Sequence, residues 1–477
     1  MQRTLQKKHL IVYNPIIITD IMNVKPLLPA VLLAFAAAFP ASAQFRSDLQ
    51  DLFGPFQLQQ GERENQIQVD YNVDFHYFFD YRDFSASSGI FMESETINVA
   101  RFSPSAVVRF NQGREATHRL TLGIDLTKDL GANPTKYVEY SQKENDPSLR
   151  NTGLMKDIFF YYNYIRHTKT GFLGFYAGIH PRTVLQGDYS RAFFADDIIY
   201  YDPNIEGVTA QFYSPHFSVE VVTDLMSKKG VDRTGGAMAF TSLEYRPFKW
   251  AALGLSAAFT HASGNILYDC DVDYALGNPY IKFDFAPLLG MQEFYLKGAA
   301  LATYQIDHDI ILQDTETGEL YDEKPHFPNG IEGTLGLRHW NIGIEDTFYY
   351  GLNLMTYRGS AYEEIADTDK YVDTIYQGET FYFTRRSVPT WYNRAEVYWQ
   401  PLLTDFVRAR VSGIGHLITP AGQDPGTRIG PFLGFQAKAS LIFDLDAFRH
   451  PRESAPAGRG TRNRRTERRS GGPLLSL

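Results

Sequence analysis

The sequence predicts an all-β protein, a 16-stranded antiparallel transmembrane β-barrel with short periplasmic turns and long external loops. Two positive observations support this. Apolar and polar residues alternate with a period of two in many segments, and short connections between these segments alternate with long ones. The third observation is negative. No segment has the roughly 18 consecutive apolar residues that a membrane-spanning helix needs.

The composition limits the class of protein further. The chain has 477 residues, of which 44% are apolar and 14% aromatic, so it is too apolar to be disordered. Its one cysteine, Cys270, has no partner within the chain, which excludes a disulfide framework. The net charge of −9 makes nucleic acid an unsuitable partner, because a nucleic-acid binder needs a basic face.

The N-terminal region predicts export. Residues 27–39 form an apolar run between Lys25 and the small residues Ala41-Ser42-Ala43, as in a signal peptide, with cleavage expected before Gln44. A buried apolar helix is the alternative for this run. We therefore expect residues 1–43 to be an N-terminal extension plus a signal peptide, 44–65 a short periplasmic segment, 66–448 the barrel, and 449–477 an arginine-rich disordered tail.

The first strand shows the alternation most clearly. In residues 66–81 every odd position, from Ile67 to Tyr81, is apolar or aromatic, and every even position except Phe78 is polar. The same pattern recurs in 117–127 and in 430–445. A period of two over such lengths predicts strands with one face against hydrocarbon and the other in water.

Sixteen segments satisfy the strand criteria. They lie near 66–82, 97–110, 117–127, 154–167, 171–181, 205–213, 216–225, 236–246, 249–262, 276–286, 292–306, 330–338, 341–352, 391–400, 404–415 and 431–445. Connections after even-numbered strands are short. Those after odd-numbered strands are longer, at 83–96, 128–153, 182–204, 226–235, 263–275, 307–329, 353–390 and 416–430.

This sorting of connections is typical of outer-membrane barrels, which have short turns in the periplasm and long loops outside. A soluble β-sandwich, the alternative, has no reason to sort its loops in this way. Aromatic residues near strand ends, such as Phe348 to Tyr350, Trp391 and Trp399, are expected at the membrane interfaces. The sequence therefore predicts a multi-pass β-barrel of the cell outer membrane, in contact with lipid and lipopolysaccharide.

One local segment supports a more specific resemblance. The third long loop ends in Tyr200-Tyr201-Asp202-Pro203-Asn204-Ile205-Glu206-Gly207-Val208, which is similar to the turn after the inward-folding loop of general porins. With the strand pattern of 66–448, the chain resembles a porin-type outer-membrane channel of Gram-negative bacteria. The residues after Phe448 and the long loop 353–390 depart from that family's pattern.

The resemblance implies a water-filled channel for passive diffusion of ions and small polar solutes, without a cofactor and without enzymatic activity. Homo-oligomerisation is left open. The alternatives are a substrate-specific transport channel, a lipid-modifying barrel enzyme, and a non-conducting structural or adhesive barrel.

Strand parity gives the predicted pore-lining residues, all of them basic and gathered on strands 2, 3 and 14 to 16. They form one basic arc across the closure of the barrel, and they are Arg101, Arg109, Arg119, Arg394, Arg408, Arg410 and Lys438. Asp70, Asp74 and Asp80 on strand 1 interrupt the arc and are expected to pair with some of its members. The arc is therefore either a selectivity element or a set of mutually neutralised structural charges.

Loop 182–204 supplies the predicted constriction. It contains Asp188, Asp196 and Asp197 together with Arg182 and Arg191. If it folds inward, as the resemblance implies, its acids are expected to face the basic arc and to set a transverse field. An external lid is the alternative.

The sequence lacks the motifs of hydrolases, nucleotide-binding proteins and metal-binding proteins. The sequence has no Gly-x-Ser-x-Gly, no His-Glu-x-x-His and no phosphate loop. Residues 269–273 resemble the start of a calcium loop, but Tyr274 and Tyr280 replace the required Gly and Glu. The histidines show no metal-ligand spacing, so no metal site is expected. A loose divalent site between residues 269–273 and lipopolysaccharide phosphates is the alternative.

Overall fold

The structure is a computed structural model, and only part of the chain is described here. The described residues are 67–84, 96–113, 115–130, 154–168, 170–194, 200, 203–227, 235–263, 272–307, 311–313, 320–322, 325, 327–351, 357–358, 375–376, 390–401, 407–420 and 432–444. The predicted signal peptide, the segment 44–65 and the C-terminal tail lie outside these ranges.

Sixteen long strands form the barrel. In chain order they are β1 Ile67–Asp83, β2 Thr96–Gln112, β3 Ala116–Asp129, β4 Leu154–His167, β5 Phe172–Pro181, β6 Asn204–Tyr213, β7 Phe217–Ser227, β8 Gly235–Phe248, β9 Ala251–Ser263, β10 Val272–Asp284, β11 Glu293–Asp307, β12 Asn329–His339, β13 Ile342–Gly351, β14 Thr390–Trp399, β15 Val407–Pro420 and β16 Phe432–Asp444. Two long connections also contain short hairpins, Ile311–Gln313 with Leu320–Asp322 and Tyr357–Arg358 with Ile375–Tyr376.

The strands close into one antiparallel barrel. Each barrel strand pairs with the next in chain order, and β1 pairs with β16, for example Phe75 with Phe443 and Tyr81 with Ala437. Closure leaves no sheet edge, so the backbone N–H and C=O groups of the strands are paired within the barrel. Hydrocarbon offers these groups no hydrogen-bond partner. The predicted fold class, a 16-stranded antiparallel β-barrel, is confirmed.

Two strands differ from the predicted bounds by several residues. β10 begins at Val272, whereas the sequence predicted its start at 276, because acidic residues such as those before and within this segment are more typical of loops than of strands. Tyr274 nevertheless faces inward, as Leu276 does two residues later, so the alternation of the strand begins before residue 276. β15 extends to Pro420 rather than to 415, since residues 416–420 pair with β14.

The connections sort by end as predicted. The tightest turn joins β12 to β13 through Trp340 and Asn341, whose φ angles of 50° and 66° match a two-residue hairpin turn that follows the strand twist. The longest turn at this end, 285–292, holds the single-turn helix Ala286–Leu289. Among the described residues no helix is both long and apolar enough to cross a bilayer.

The two faces of the wall have opposite character. Outward-facing Ile67, Val69 and Leu433 are 72%, 79% and 72% exposed, whereas inward-facing Asp80 and Arg394 are both fully buried. A soluble protein places its apolar and charged residues the other way round. The outer band therefore contacts lipid, and the predicted period-two register is confirmed in β1, β3 and β16.

Aromatic residues gather at both rims of this band. Near the short turns the rings of Phe248 and Trp250 stack with their centroids 5.2 Å apart. Near the long loops Trp391 lies 5.0 Å from Phe348 and 5.2 Å from Tyr350. Such girdles are typical of the two interfaces of a membrane barrel.

Candidate pore interior

The described part of the third long loop lies inside the barrel. Its residues Leu185, Ala192, Phe193, Phe194 and Tyr200 are each at most 7% exposed. They form one apolar cluster with inward-facing residues of many strands, namely Phe78, Val99, Val222, Phe240, Leu276, Leu301, Tyr349, Tyr392 and Ile442. The described residues of this loop therefore do not form an external lid.

The loop enters the lumen through a short turn. Residues Arg182–Val184 form a single 3-10 turn directly after β5. Arg182 donates from Nη2 to Asp224 Oδ2 on β7 at 2.6 Å, and the other oxygen of Asp224 accepts the backbone N–H of Glu206 at 3.0 Å. Both carboxylate oxygens thus hold the point where β5 leaves the wall.

Glu220 on β7 fixes the next part of the loop. Its carboxylate accepts the backbone N–H groups of Gln186 and Gly187 at 2.8 and 3.2 Å, and the Tyr189 hydroxyl at 2.7 Å. It also accepts Gln211 Nε2 at 2.6 Å. Hydrogen bonds to a charged acceptor are stronger than neutral ones, so Glu220 determines the path of the loop base.

Asp188 crosses to the opposite part of the wall. Its Oδ2 lies 2.7 Å from Lys282 Nζ on β10, and its Oδ1 lies 2.8 Å from Lys297 Nζ on β11. Burial of the carboxylate opposes ionisation, but the two ammonium groups outweigh burial and hold the pKa of Asp188 well below its ordinary value. The sequence analysis missed both lysines, although their inward parity was readable.

The placement of Asp188 corrects one expectation. The sequence analysis expected this acid to face the basic arc on β2, β3 and β14 to β16, whereas its ion pairs are with β10 and β11. The loop leaves the wall at β5 and contacts the strands that follow in chain order, so position 188 reaches β10 and β11 and not the arc. Asp196 and Asp197 lie outside the described residues.

The loop continues toward β12, β13 and β14. The Ser190 hydroxyl donates to Glu332 at 2.6 Å, and Arg191 Nη2 lies 3.7 Å from Glu345 and 3.9 Å from Glu396. The loop therefore carries a cation, Arg191, toward the part of the interior where the sequence analysis expected its acids.

The seven residues of the predicted basic arc all face inward. Arg394 is fully buried, Arg101, Arg109, Arg119 and Arg410 are nearly so, and Arg408 and Lys438 are half-buried. Glu396 on β14, which the sequence analysis did not single out, lies 2.9 Å from Arg394 and 2.8 Å from Arg410. Two members of the arc are thus paired with an acid of the wall.

Asp80 has partners other than the expected ones. It accepts Arg82 Nη2 at 2.8 Å and Gln436 Nε2 at 2.8 Å, and the Tyr200 hydroxyl of the loop at 3.2 Å. Arg82 is not a member of the arc, and it lies two residues along the same face of β1. The main chain of Tyr200 in turn accepts Arg101 at 3.2 Å, which ties the end of the loop to β1 and β2.

Tyrosine rings line the wall beside the two lysines. Lys297 Nζ lies 4.4 Å from the centroid of the Tyr280 ring, and Lys282 Nζ lies 4.6 Å from that of Tyr295. These contacts are within the range of cation–π attraction. Among the described residues no group of three or more His, Cys, Asp or Glu side chains is arranged to hold a metal ion.

Comparison with known proteins gives likeness of structure alone. No protein-family model matches the chain, and no curated protein matches it.

Solved structures that it resembles include OpdK of Pseudomonas aeruginosa with vanillate, at 9% identity and a TM-score of 0.38, covering 79% of this chain and 98% of that one. A loop-deletion mutant of OmpT, an outer membrane protein of Vibrio cholerae, is 8% identical with a TM-score of 0.44, covering 79% and 99%. OmpF of Salmonella typhi in complex with daunomycin is 9% identical with a TM-score of 0.38, covering 79% and 97%.

The wall itself supports the predicted localisation. Sixteen antiparallel strands close without an edge, the exposed band is apolar, and the interior carries the charges. An even-stranded barrel with short turns at one end and long loops at the other is the architecture of outer-membrane proteins. The chain is therefore a multi-pass β-barrel of the outer-membrane type.

Proposed function

We propose that the protein is a channel through which ions and small polar solutes diffuse passively across the outer membrane. The observation that supports this most directly is a loop held across the interior of a sixteen-stranded barrel by charged contacts on several sides. Barrels of this size enclose more space than their wall side chains fill, so an inward loop determines the width of the path.

The path runs between the loop and strands β15 and β16. Arg408 and Lys438 on these strands are half-buried, whereas Arg394 and Arg410 next to them are buried against Glu396. Charges that remain accessible act on a passing ion at short range and with little screening. Arg408 and Lys438 are thus the members of the arc that set ion preference, and the buried members shape the wall.

A planar-bilayer recording of the full-length protein tests this proposal. The wild-type channel is expected to conduct. In the double variant Arg408→Gln/Lys438→Gln the reversal potential is expected to shift toward cation selectivity. Asp273→Asn is the matched control, because Asp273 lies on the outer side of β10, paired with His261 at 2.7 Å. A conducting double variant with wild-type selectivity would place the path elsewhere.

Loop 182–204 also contains Asp196 and Asp197, which lie outside the described residues. We retain the proposal that they add negative charge to the constriction. Neutralising both is expected to shift the reversal potential toward anions, opposite in sign to the effect at Arg408 and Lys438.

A non-conducting barrel is the second candidate, and one observation favours it. The inward-facing charged side chains of Asp80, Arg394 and Lys282 are at most 2% exposed, as in a packed interior. Swelling of liposomes that contain the folded protein separates the two functions. If the liposomes swell in solutions of small sugars, the sugars pass through the protein and the channel is supported. If liposomes with correctly inserted protein do not swell, the non-conducting barrel is supported.

Delivery to the outer membrane is proposed to involve cleavage before Gln44. The apolar run 27–39 and the small residues 41–43 motivate this proposal. Mass spectrometry of the protein from outer-membrane fractions is expected to find Gln44 as the first residue, and peptides from 22–43 in mature protein would contradict it.

A further inference from the structure

Two lysines face each other inside the wall. Lys282 on β10 and Lys297 on β11 are direct cross-strand partners, and they are 2% and 7% exposed. Like charges directly opposite each other destabilise a sheet, and burial makes the repulsion stronger. This position of the wall therefore favours a bound anion.

Asp188 of the loop occupies that position. One of its carboxylate oxygens receives Lys282 at 2.7 Å and the other receives Lys297 at 2.8 Å. The lysines thus act as a clamp, with one ammonium group on each oxygen of a single carboxylate. The rings of Tyr280 and Tyr295 lie against the two ammonium groups and form the sides of the clamp.

Two other acids close to this clamp, Glu244 and Glu332, have partners of their own. Glu244 accepts the Tyr280 hydroxyl at 2.9 Å and pairs with Arg246. Glu332 accepts the Ser190 hydroxyl. The carboxylate in direct contact with both lysines is that of Asp188, which belongs to a loop and not to the wall.

We propose that Lys282 and Lys297 form an oxyanion-binding site of the inner wall, which Asp188 fills when the loop is docked. A carboxylate or phosphate group of a solute competes with Asp188 for this site. This inference rests on the proposed function, since it assumes that solutes reach the interior. Displacing Asp188 removes both ion pairs between the loop and strands β10 and β11 and leaves their apolar contacts, so an anionic solute loosens the loop as it binds.

The competition predicts how affinity changes when Asp188 is altered. A tethered carboxylate is present at a high effective concentration, so it weakens the binding of a free anion. Asp188→Asn removes the competing charge and keeps the size of the side chain. The variant is expected to bind inorganic phosphate at least tenfold more tightly than the wild type.

Calorimetric titration of the folded full-length protein in detergent tests this, with inorganic phosphate and acetate as separate probes. Tight binding of phosphate identifies a phosphate-type ligand, and tight binding of acetate alone identifies a carboxylate. In the double variant Asp188→Asn/Lys297→Gln the gain is expected to disappear. Glu293→Gln is the matched control, because Glu293 is on the same strand but pairs with Arg338.

A second measurement uses the wild-type chain, in case the variant does not fold. Saturating phosphate is expected to speed tryptic cleavage after Arg191, since loss of the Asp188 contact exposes the loop. Unchanged cleavage, or an Asp188→Asn variant that binds both anions no better than the wild type, would overturn the proposal. Neither readout depends on conductance, so a barrel that binds phosphate but does not conduct would refute the proposed function and not the site.

Discussion

Arg410 lies over the ring of Tyr398, with 3.9 Å between the guanidinium carbon and the ring centroid. The ring of Tyr398 also covers Gly343 on the neighbouring strand, where an added Cβ would be 2.0 Å from the ring carbon Cζ. Glycine at 343 therefore lets the tyrosine lie flat on the inner wall and support the cation. Gly254 and Tyr280 repeat the arrangement, again with an added Cβ 2.0 Å from the ring.

Gly343→Ala is expected to destabilise the barrel by about 1 to 3 kcal/mol, because the methyl group forces Tyr398 out of its position. Gly298→Ala is the control, since a Cβ at Gly298 on the outer side of β11 meets nothing within 4 Å. Denaturant unfolding of both variants in the same lipid measures the difference. Equal stabilities would show that the ring does not rest on Gly343.

Leu122→Arg is expected to cost about 2 to 4 kcal/mol where the residue lies near the bilayer midplane. Leu122 is 53% exposed on the outer face of β3, and an arginine there must enter hydrocarbon. Ser105→Arg is the control, because Ser105 is half-buried and faces inward on the adjacent strand. Similar losses in urea unfolding from liposomes would contradict the assignment of the two faces.

The wall could be predicted from the sequence because lipid imposes a period of two on every strand. The outer position of Leu122 and the inner position of Arg394 follow from parity alone. Parity also places Lys282, Lys297 and Glu396 inside, but parity gives only the face of a residue and not its ion-pair partner, so their roles were not predicted. The contacts of Asp188 could not be predicted, since no periodic rule fixes the path of a loop through the lumen.

Glu220→Ala is expected to release the base of the third loop. The carboxylate accepts two consecutive backbone N–H groups and the Tyr189 hydroxyl, and hydrogen bonds to a charged group contribute about 1.5 to 3 kcal/mol each. Tryptic cleavage after Arg191 should accelerate at least tenfold. Ser218→Ala, on the same face of β7, is expected to leave the cleavage rate unchanged, and acceleration in both variants would point to a general loosening of β7.

The ion pairs of Asp188 predict a specific pH dependence. Its ordinary pKa is 3.8, and in the folded barrel the two lysines hold the pKa well below that value. A carboxyl group with a lowered pKa contributes its full stabilisation above its unfolded pKa and loses it as the pH falls through the folded one.

The wild type is therefore expected to exceed Asp188→Asn in unfolding free energy by a constant amount from pH 8 to pH 5. This difference in unfolding free energy should narrow only as the pH falls through 3.8. Denaturant unfolding of both proteins from pH 8 to below pH 3.8 measures this difference. A gap that already closes between pH 7 and pH 5 would mean that the Asp188 carboxylate does not sit between the two ammonium groups.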